Sequence, residues 1–174
     1  MRKLTSLLRI MLLFSLSACT SPSNWYTADV CFNGYANDQG YWDFALNDKG
    51  TSFMPVYKIE TLRELADFKT NLQPYFSFNG KKTNTASFNE VTADCDDTFF
   101  SANTLLIVYI VSGSGTYRFR VPDIRIQDGA LTVFVEQYND EGVHTCDMSG
   151  WLAVIQIPKA KLADVTEYRA QETP

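Results

Sequence analysis

Apolar positions in this chain change period several times, and each change marks an element. From 103 to 111 (NTLLIVYIV) they run almost without a break, as in a strand buried on both faces. From 116 to 127 (TYRFRVPDIRIQ) they alternate with polar residues, but the phase flips: Tyr117, Phe119 and Val121 are odd, Ile124 and Ile126 even, with Pro122 at the flip. One extra residue at Pro122-Asp123, a β-bulge, restores a single apolar face. Asp128-Gly129 then predicts a two-residue hairpin turn. The strand ALTVFVEQY (130 to 138) returns with Leu131, Val133 and Val135 inward. Counting back from the turn sets Ile126 against Leu131, Ile124 against Val133, Val121 against Val135 and Arg120 against Glu136, apolar with apolar and plus with minus. WLAVIQIP (151 to 158) is a final strand stopped by Pro158, and 159 to 164 form one closing helical turn.

Upstream, Asn-Asp-x-Gly occurs at 37–40, 47–50 and 139–142, each with the chemistry of a hairpin loop. The first two bracket YWDFAL (41 to 46), so 28 to 59 reads as a small antiparallel meander. ETLRELADFKTNL (60 to 72) places Leu62, Leu65, Ala66, Phe68 and Leu72 near a helical period. Residues 73 to 93 suit either a hairpin turning at Asn79-Gly80 or a packed loop carrying Phe76, Phe78 and Phe88. DCDDTFF (94 to 100) opens a short helix, its acids capping free N–H groups. The expected fold is therefore α+β and mostly antiparallel: a C-terminal four-stranded meander, one amphipathic helix and an N-terminal β-hairpin region.

The N-terminus adds an address. Arg2, Lys3 and Arg9 precede a short apolar run at 10 to 16 and the small residues Ser17 and Ala18. This is the pattern of a secretory signal peptide, too short to stay as a membrane span. Leu16-Ser17-Ala18-Cys19 resembles the bacterial lipobox, which implies cleavage before Cys19 and a diacylglycerol on its sulfur. Residues 1–18 are then signal peptide, 19–27 the lipidated Cys and a polar spacer, 28–169 one globular domain and 170–174 a tail. Cleavage removes three of 15 basic residues against 20 acidic ones, taking the net charge from −5 to about −8. Such a balance, with no basic run beyond Lys81-Lys82, argues against nucleic acid as a partner. Beyond Cys19, Cys31, Cys95 and Cys146 allow three pairings of which one at most can form.

Catalytic signals are sparse. The stretch VSGSGTY (111 to 117) lacks the Lys of a phosphate loop and the Gly two residues before Ser114 that a nucleophile elbow needs, and the residues after it alternate like a strand. Its two glycines predict a bend with positive φ. The one histidine, His144, would share a face with Cys146 if the segment were a strand, but it reads as a surface-loop residue before the last strand, and a Cys–His couple also needs a third, orienting group. Asp94, Asp96 and Asp97 could hold a hard cation, although capping accounts for them; no Asn-Asp-x-Gly loop has the order of a calcium-binding EF-hand. Arg118, Arg120 and Arg125 are placed on the outward face of the hairpin. No catalytic residue, metal or cofactor is expected.

From Asp96 to Lys159 the chain reads DDTFF, TLLIVYI, SGSGTY, YRFRVPDIRI, LTVFVEQ, HTCDMSGW and IQIPK. In that order it resembles the C-terminal domain of the PrcB-like bacterial lipoproteins, over a portion placed at about 94–160. The resemblance implies a non-catalytic binding role; in the family's best-known member the lipoprotein is an accessory subunit of a surface protease complex. The expected protein is thus an extracytoplasmic lipoprotein held at the bacterial membrane by its lipid, binding or assisting an envelope protein. The contact residues are Ser112, Gly113, Ser114, Gly115, Thr116 and Tyr117, together with the TCDMSGW loop. A proteinase inhibitor using the same loops is the alternative.

Overall fold

The computed structural model of the chain describes residues 25–35, 54–82, 84–139 and 147–173. Among these, seven strands form two sheets. They are β1 (Thr27–Tyr35), β2 (Val56–Ile59), β3 (Asn103–Ser112), β4 (Tyr117–Gln127), β5 (Ala130–Asn139), β6 (Ser149–Pro158) and β7 (Glu167–Glu172). The four-stranded sheet has the order β1-β6-β3-β2 and the three-stranded sheet the order β4-β5-β7. All pairs are antiparallel except β5 with β7. The helices are α1 (Leu62–Leu72), α2 (Phe88–Val91) and α3 (Asp97–Ala102). The α+β, mostly antiparallel expectation holds.

The continuous apolar runs explain the layering. In β3, Leu106, Val108 and Ile110 face one core; Leu105, Ile107 and Tyr109 face another. β6 divides likewise, with Trp151, Ala153, Ile155 and Ile157 on the first side and Leu152 and Val154 on the second. The first core lies against Phe119, Ile124, Leu131, Val133 and Val135 of the three-stranded sheet. The second lies against Leu65, Phe68 and Leu72 of α1, Phe88 of α2 and Phe100 of α3. The four-stranded sheet is thus the middle of three layers, and β3 and β6 are its two inner strands.

This order corrects the expected four-stranded meander. Strands β3 to β6 do succeed one another along the chain, but β3 pairs with β6 and β4 with β5, in different sheets. An alternating strand such as β4 buries one face only, whereas β3 and β6 need cover on both, so they pair with each other. The expected antiparallel meander at 28–59 is also corrected, because β1 and β2 sit at opposite edges of one sheet. YWDFAL and the first two Asn-Asp-x-Gly loops lie outside the described residues. The tail reading fails as well: 167–172 is β7, parallel to β5, and Thr173 N–H donates to the Val135 carbonyl at 2.8 Å. At the other end, Trp25 and Tyr26, assigned to the spacer, pack against the first core.

The hairpin forms in the predicted register. Ile126 opposes Leu131, Ile124 opposes Val133 and Arg120 opposes Glu136, with the shift between Arg120 and Asp123 that the Pro122 bulge requires. Two residues, Val121 and Pro122, therefore stand against Val135 alone. Asp128 (φ 52°) and Gly129 (φ 76°) are both left-handed, as a two-residue turn of this hand demands.

Local caps set the helix starts. The Thr61 side chain accepts from Glu64 N–H at 3.1 Å. Ser87 and Glu90 form a reciprocal capping box. Asp96 accepts from Phe99 N–H at 2.8 Å, which is the capping role predicted for the 94–97 acids. Residues 73–87 take the packed-loop alternative, whereas 88–91, which neither alternative foresaw, is α2. Phe76 stacks on Tyr109 at 4.9 Å, Phe78 lies 5.0 Å from Phe88, and Ser77 N–H donates to the Asn33 side chain of β1 at 3.1 Å. The closing turn after β6 is a 3-10 helix, Lys159–Lys161.

Candidate functional site: a locked crossover beside an arginine cleft

Because β3 and β4 belong to different sheets, 113–116 carries the chain from one layer to the next. The polar atoms of this crossover are turned inward. Ser112 Oγ donates to the Ser114 carbonyl at 2.8 Å, and Ser149 Oγ reaches the same carbonyl at 3.3 Å. Ser114 Oγ accepts from Thr116 N–H at 3.2 Å and lies 2.9 Å from Thr116 Oγ1. Gly115 N–H donates to Asp147 Oδ1 at 3.1 Å, and Lys82 Nζ donates to the Gly115 carbonyl. Ser149 Oγ also accepts from the Trp151 indole N–H at 3.2 Å, so the crossover is fastened to the start of β6.

Of the six residues expected to make contact, Ser112 (3% exposed), Ser114 (2%) and Gly115 are buried; Gly113 is exposed, and Thr116 and Tyr117 are half-buried. Serines expected to form a contact surface are therefore internal fasteners. The predicted positive φ is absent at Gly113: the left-handed glycines among the described residues are Gly34 and Gly129. No atom lies within 4 Å of where a Gly113 Cβ would stand. The bend spans two layers instead of closing a paired hairpin, so it has no need of the left-handed backbone such a hairpin uses.

Next to the crossover a cleft of about 290 Å³ opens between β1 and β4. Asp29, Asn84, Thr85, Arg118, Arg120 and Tyr138 contribute its polar lining, with Val30 and Val121 among its apolar walls. The Arg118 guanidinium lies 5.4 Å from the ring centre of Trp151. Its Nη1 donates to the carbonyls of Gly115 (3.3 Å), Thr116 (3.2 Å) and Tyr117 (3.1 Å). Arg120 is committed elsewhere, forking onto Glu136 through Nε (2.9 Å) and Nη2 (2.6 Å). Those hydrogen bonds hold the Glu136 carboxyl below its ordinary range and raise Arg120. Alternation along β4 places Arg118 and Arg120 together, but the position of Arg118 over Trp151 carries no sequence signal.

Other candidates have local roles or lie outside the described residues. Cys31 and Cys95 are buried free thiols. Burial, then the charges of Asp29 and Glu90, push Cys31 up to about 12, and burial raises Cys95, so neither is a thiolate at neutral pH. A second cavity of about 400 Å³ lies between α1 and the 76–79 loop. Lys69 at its edge donates to Thr92 Oγ1 at 3.1 Å, and burial lowers its pKa. Among the described residues no three His, Cys, Asp or Glu side chains converge as metal ligands would, and no helix is long and apolar enough to cross a membrane. Cys19, His144, Cys146 and the loop at 140–146 lie outside the described residues. No protein-family model, no curated protein and no solved structure matches this chain.

Proposed function

We propose that this protein is a lipid-anchored extracytoplasmic lipoprotein that acts as a non-catalytic protein-binding module, an accessory to an envelope protease complex. The observation that supports binding best is the crossover. Its internal polar groups are consumed by hydrogen bonds, so Gly113, Thr116 and Tyr117 are presented from a rigid support at little ordering cost on association. The lipobox supports the address, and the PrcB-like resemblance supports the protease setting.

Two experiments test the reading. A photoreactive amino acid at Gly113, the exposed position of the crossover, should capture one envelope protein in cells. Its failure to enrich any specific protein over a control position on α1 would overturn the binding role. Cys19→Ser should release the chain from membranes and abolish incorporation of labelled fatty acid. If neither changes, the anchor reading is wrong.

A further inference from the structure

In the cleft between β1 and β4 part of one guanidinium has no protein partner. Arg118 Nη1 is tied to three backbone carbonyls, but among the described residues Nε and Nη2 make no hydrogen bond, and no carboxylate lies within ion-pair distance of the guanidinium. That pair of N–H groups is the fork with which arginine grips a carboxylate through two parallel hydrogen bonds. The bonds through Nη1 and the Trp151 face hold the group in place, so little freedom remains to be lost on binding. Neither atom is among the buried unsatisfied polar atoms of the described residues, so both reach solvent and stay open to an acceptor supplied from outside.

The shape of the cleft narrows the occupant. Among the described strands β1 hydrogen-bonds only to β6 and β4 only to β5, so the facing edges are unpaired. An added strand between them is excluded, however. The Cα atoms of β1 and β4 come within 8 Å of one another, whereas an intervening strand needs two spacings, about 9.5 Å. Pro122 offers no N–H, and its bulge turns β4 out of register with a neighbour. What fits is a side chain. Val30 and Val121 suit an apolar stem, and Arg118 receives an acid at its end.

We infer that the β1–β4 cleft is a receptor for a glutamate side chain of the protein partner, gripped by Nε and Nη2 of Arg118. The inference rests on the binding role proposed above and names its chemistry. Asp29, exposed at the cleft, forms no ion pair with Arg118 or Arg120, and its charge opposes an incoming anion.

The test uses the chain from residue 19 onward with Cys19→Ser, to keep it soluble, and fluorescein-labelled hexapeptides of Gly and Ser carrying one central Glu or Gln. The Glu peptide should bind, with the Arg118 Nε–H and Trp151 indole N–H resonances of the unmutated site shifting on titration. Arg118→Gln should weaken binding about tenfold or more, as loss of a charge-assisted pair does. Asp29→Asn should tighten it, and added salt should weaken it. Equal binding of the Glu and Gln peptides, or Glu-peptide titration that leaves both resonances unmoved, overturns the inference even if Arg118→Gln proves unfolded. Acetate or inorganic phosphate competing as well as the peptide assigns the site to small anions and overturns the glutamate assignment. Crosslinking at Gly113 separates the two readings. A captured partner whose binding ignores Arg118→Gln sinks the cleft alone, while a titrating cleft with no captured partner sinks the accessory role.

Discussion

Asp147 accepts a hydrogen bond from the Gly115 backbone at 3.1 Å, joining the crossover between the two sheets to the segment that leads into β6. Removing the acceptor leaves a buried glycine N–H without that partner. Asp147→Ala should cost about 1–3 kcal/mol and accelerate amide exchange at Gly115, with little change in the β3–β6 core. Asp147→Asn, which keeps an acceptor oxygen, should lose much less. Hydrogen exchange on the three proteins reads the difference, and equal exchange at Gly115 in all of them would show that this bond does not hold the turn.

The capping box of α2 should titrate. Hydrogen bonds from Lys81, and then from the Ser87 backbone, push Glu90 down to about 2 from 4.5. A carboxylate depressed in the folded state contributes stability that is present above its unfolded pKa and fades as pH falls toward the folded one. Wild type should therefore melt above Glu90→Gln at pH 7, and the gap should close between pH 4.5 and pH 2. Melting curves at the two ends of that window decide it. A gap that is constant with pH would assign the effect to packing.

Core and surface aliphatic positions should separate cleanly. Leu106 is fully buried between the two sheets, while Ile126 near the hairpin turn is 40% exposed. Leu106→Ala should cost about 2–5 kcal/mol through lost transfer energy and the cavity left behind. Ile126→Ala should cost about 1 kcal/mol or less. Urea unfolding of both variants checks the contrast.

Deleting 167–174 should do more harm than its polar composition suggests. The segment supplies β7, which closes one edge of β5 and sets Tyr168 and Ala170 against the first core. Without it β5 has an open edge, a template for pairing with other chains. The truncated protein should be less stable by about 2 kcal/mol or more and should self-associate in sedimentation. A monomer of unchanged stability would show that β7 contributes nothing.

Much of the hairpin is legible in the sequence because its information is local. The phase flip at Pro122 announces the bulge, Asp128-Gly129 announces the turn, and counting from the turn sets Arg120 against Glu136. β7 escapes such a reading for a physical reason. TEYRAQE alternates with only Tyr168 and Ala170 inward, which is too little apolar signal for an edge strand whose other face meets water. The candidate site is half legible. VSGSGTY has the composition of a bend and is one, but side-chain burial is a property of the surroundings, so Ser112 and Ser114 look like contacts in the sequence and prove to be fasteners.

By itself the sequence determined α1, the acid cap of α3, the hairpin register and the double-sided burial of β3, since each is written in the period or order of neighbouring residues. Only the tertiary structure decided which strands share a sheet. β3 finds β6, with paired residues as far apart as Asn103 and Pro158, because two strands apolar on both faces exclude water best when they lie side by side. That choice sends β4 to the other layer, bends the chain through 113–116, and leaves Arg118 over Trp151 in the lining of a cleft.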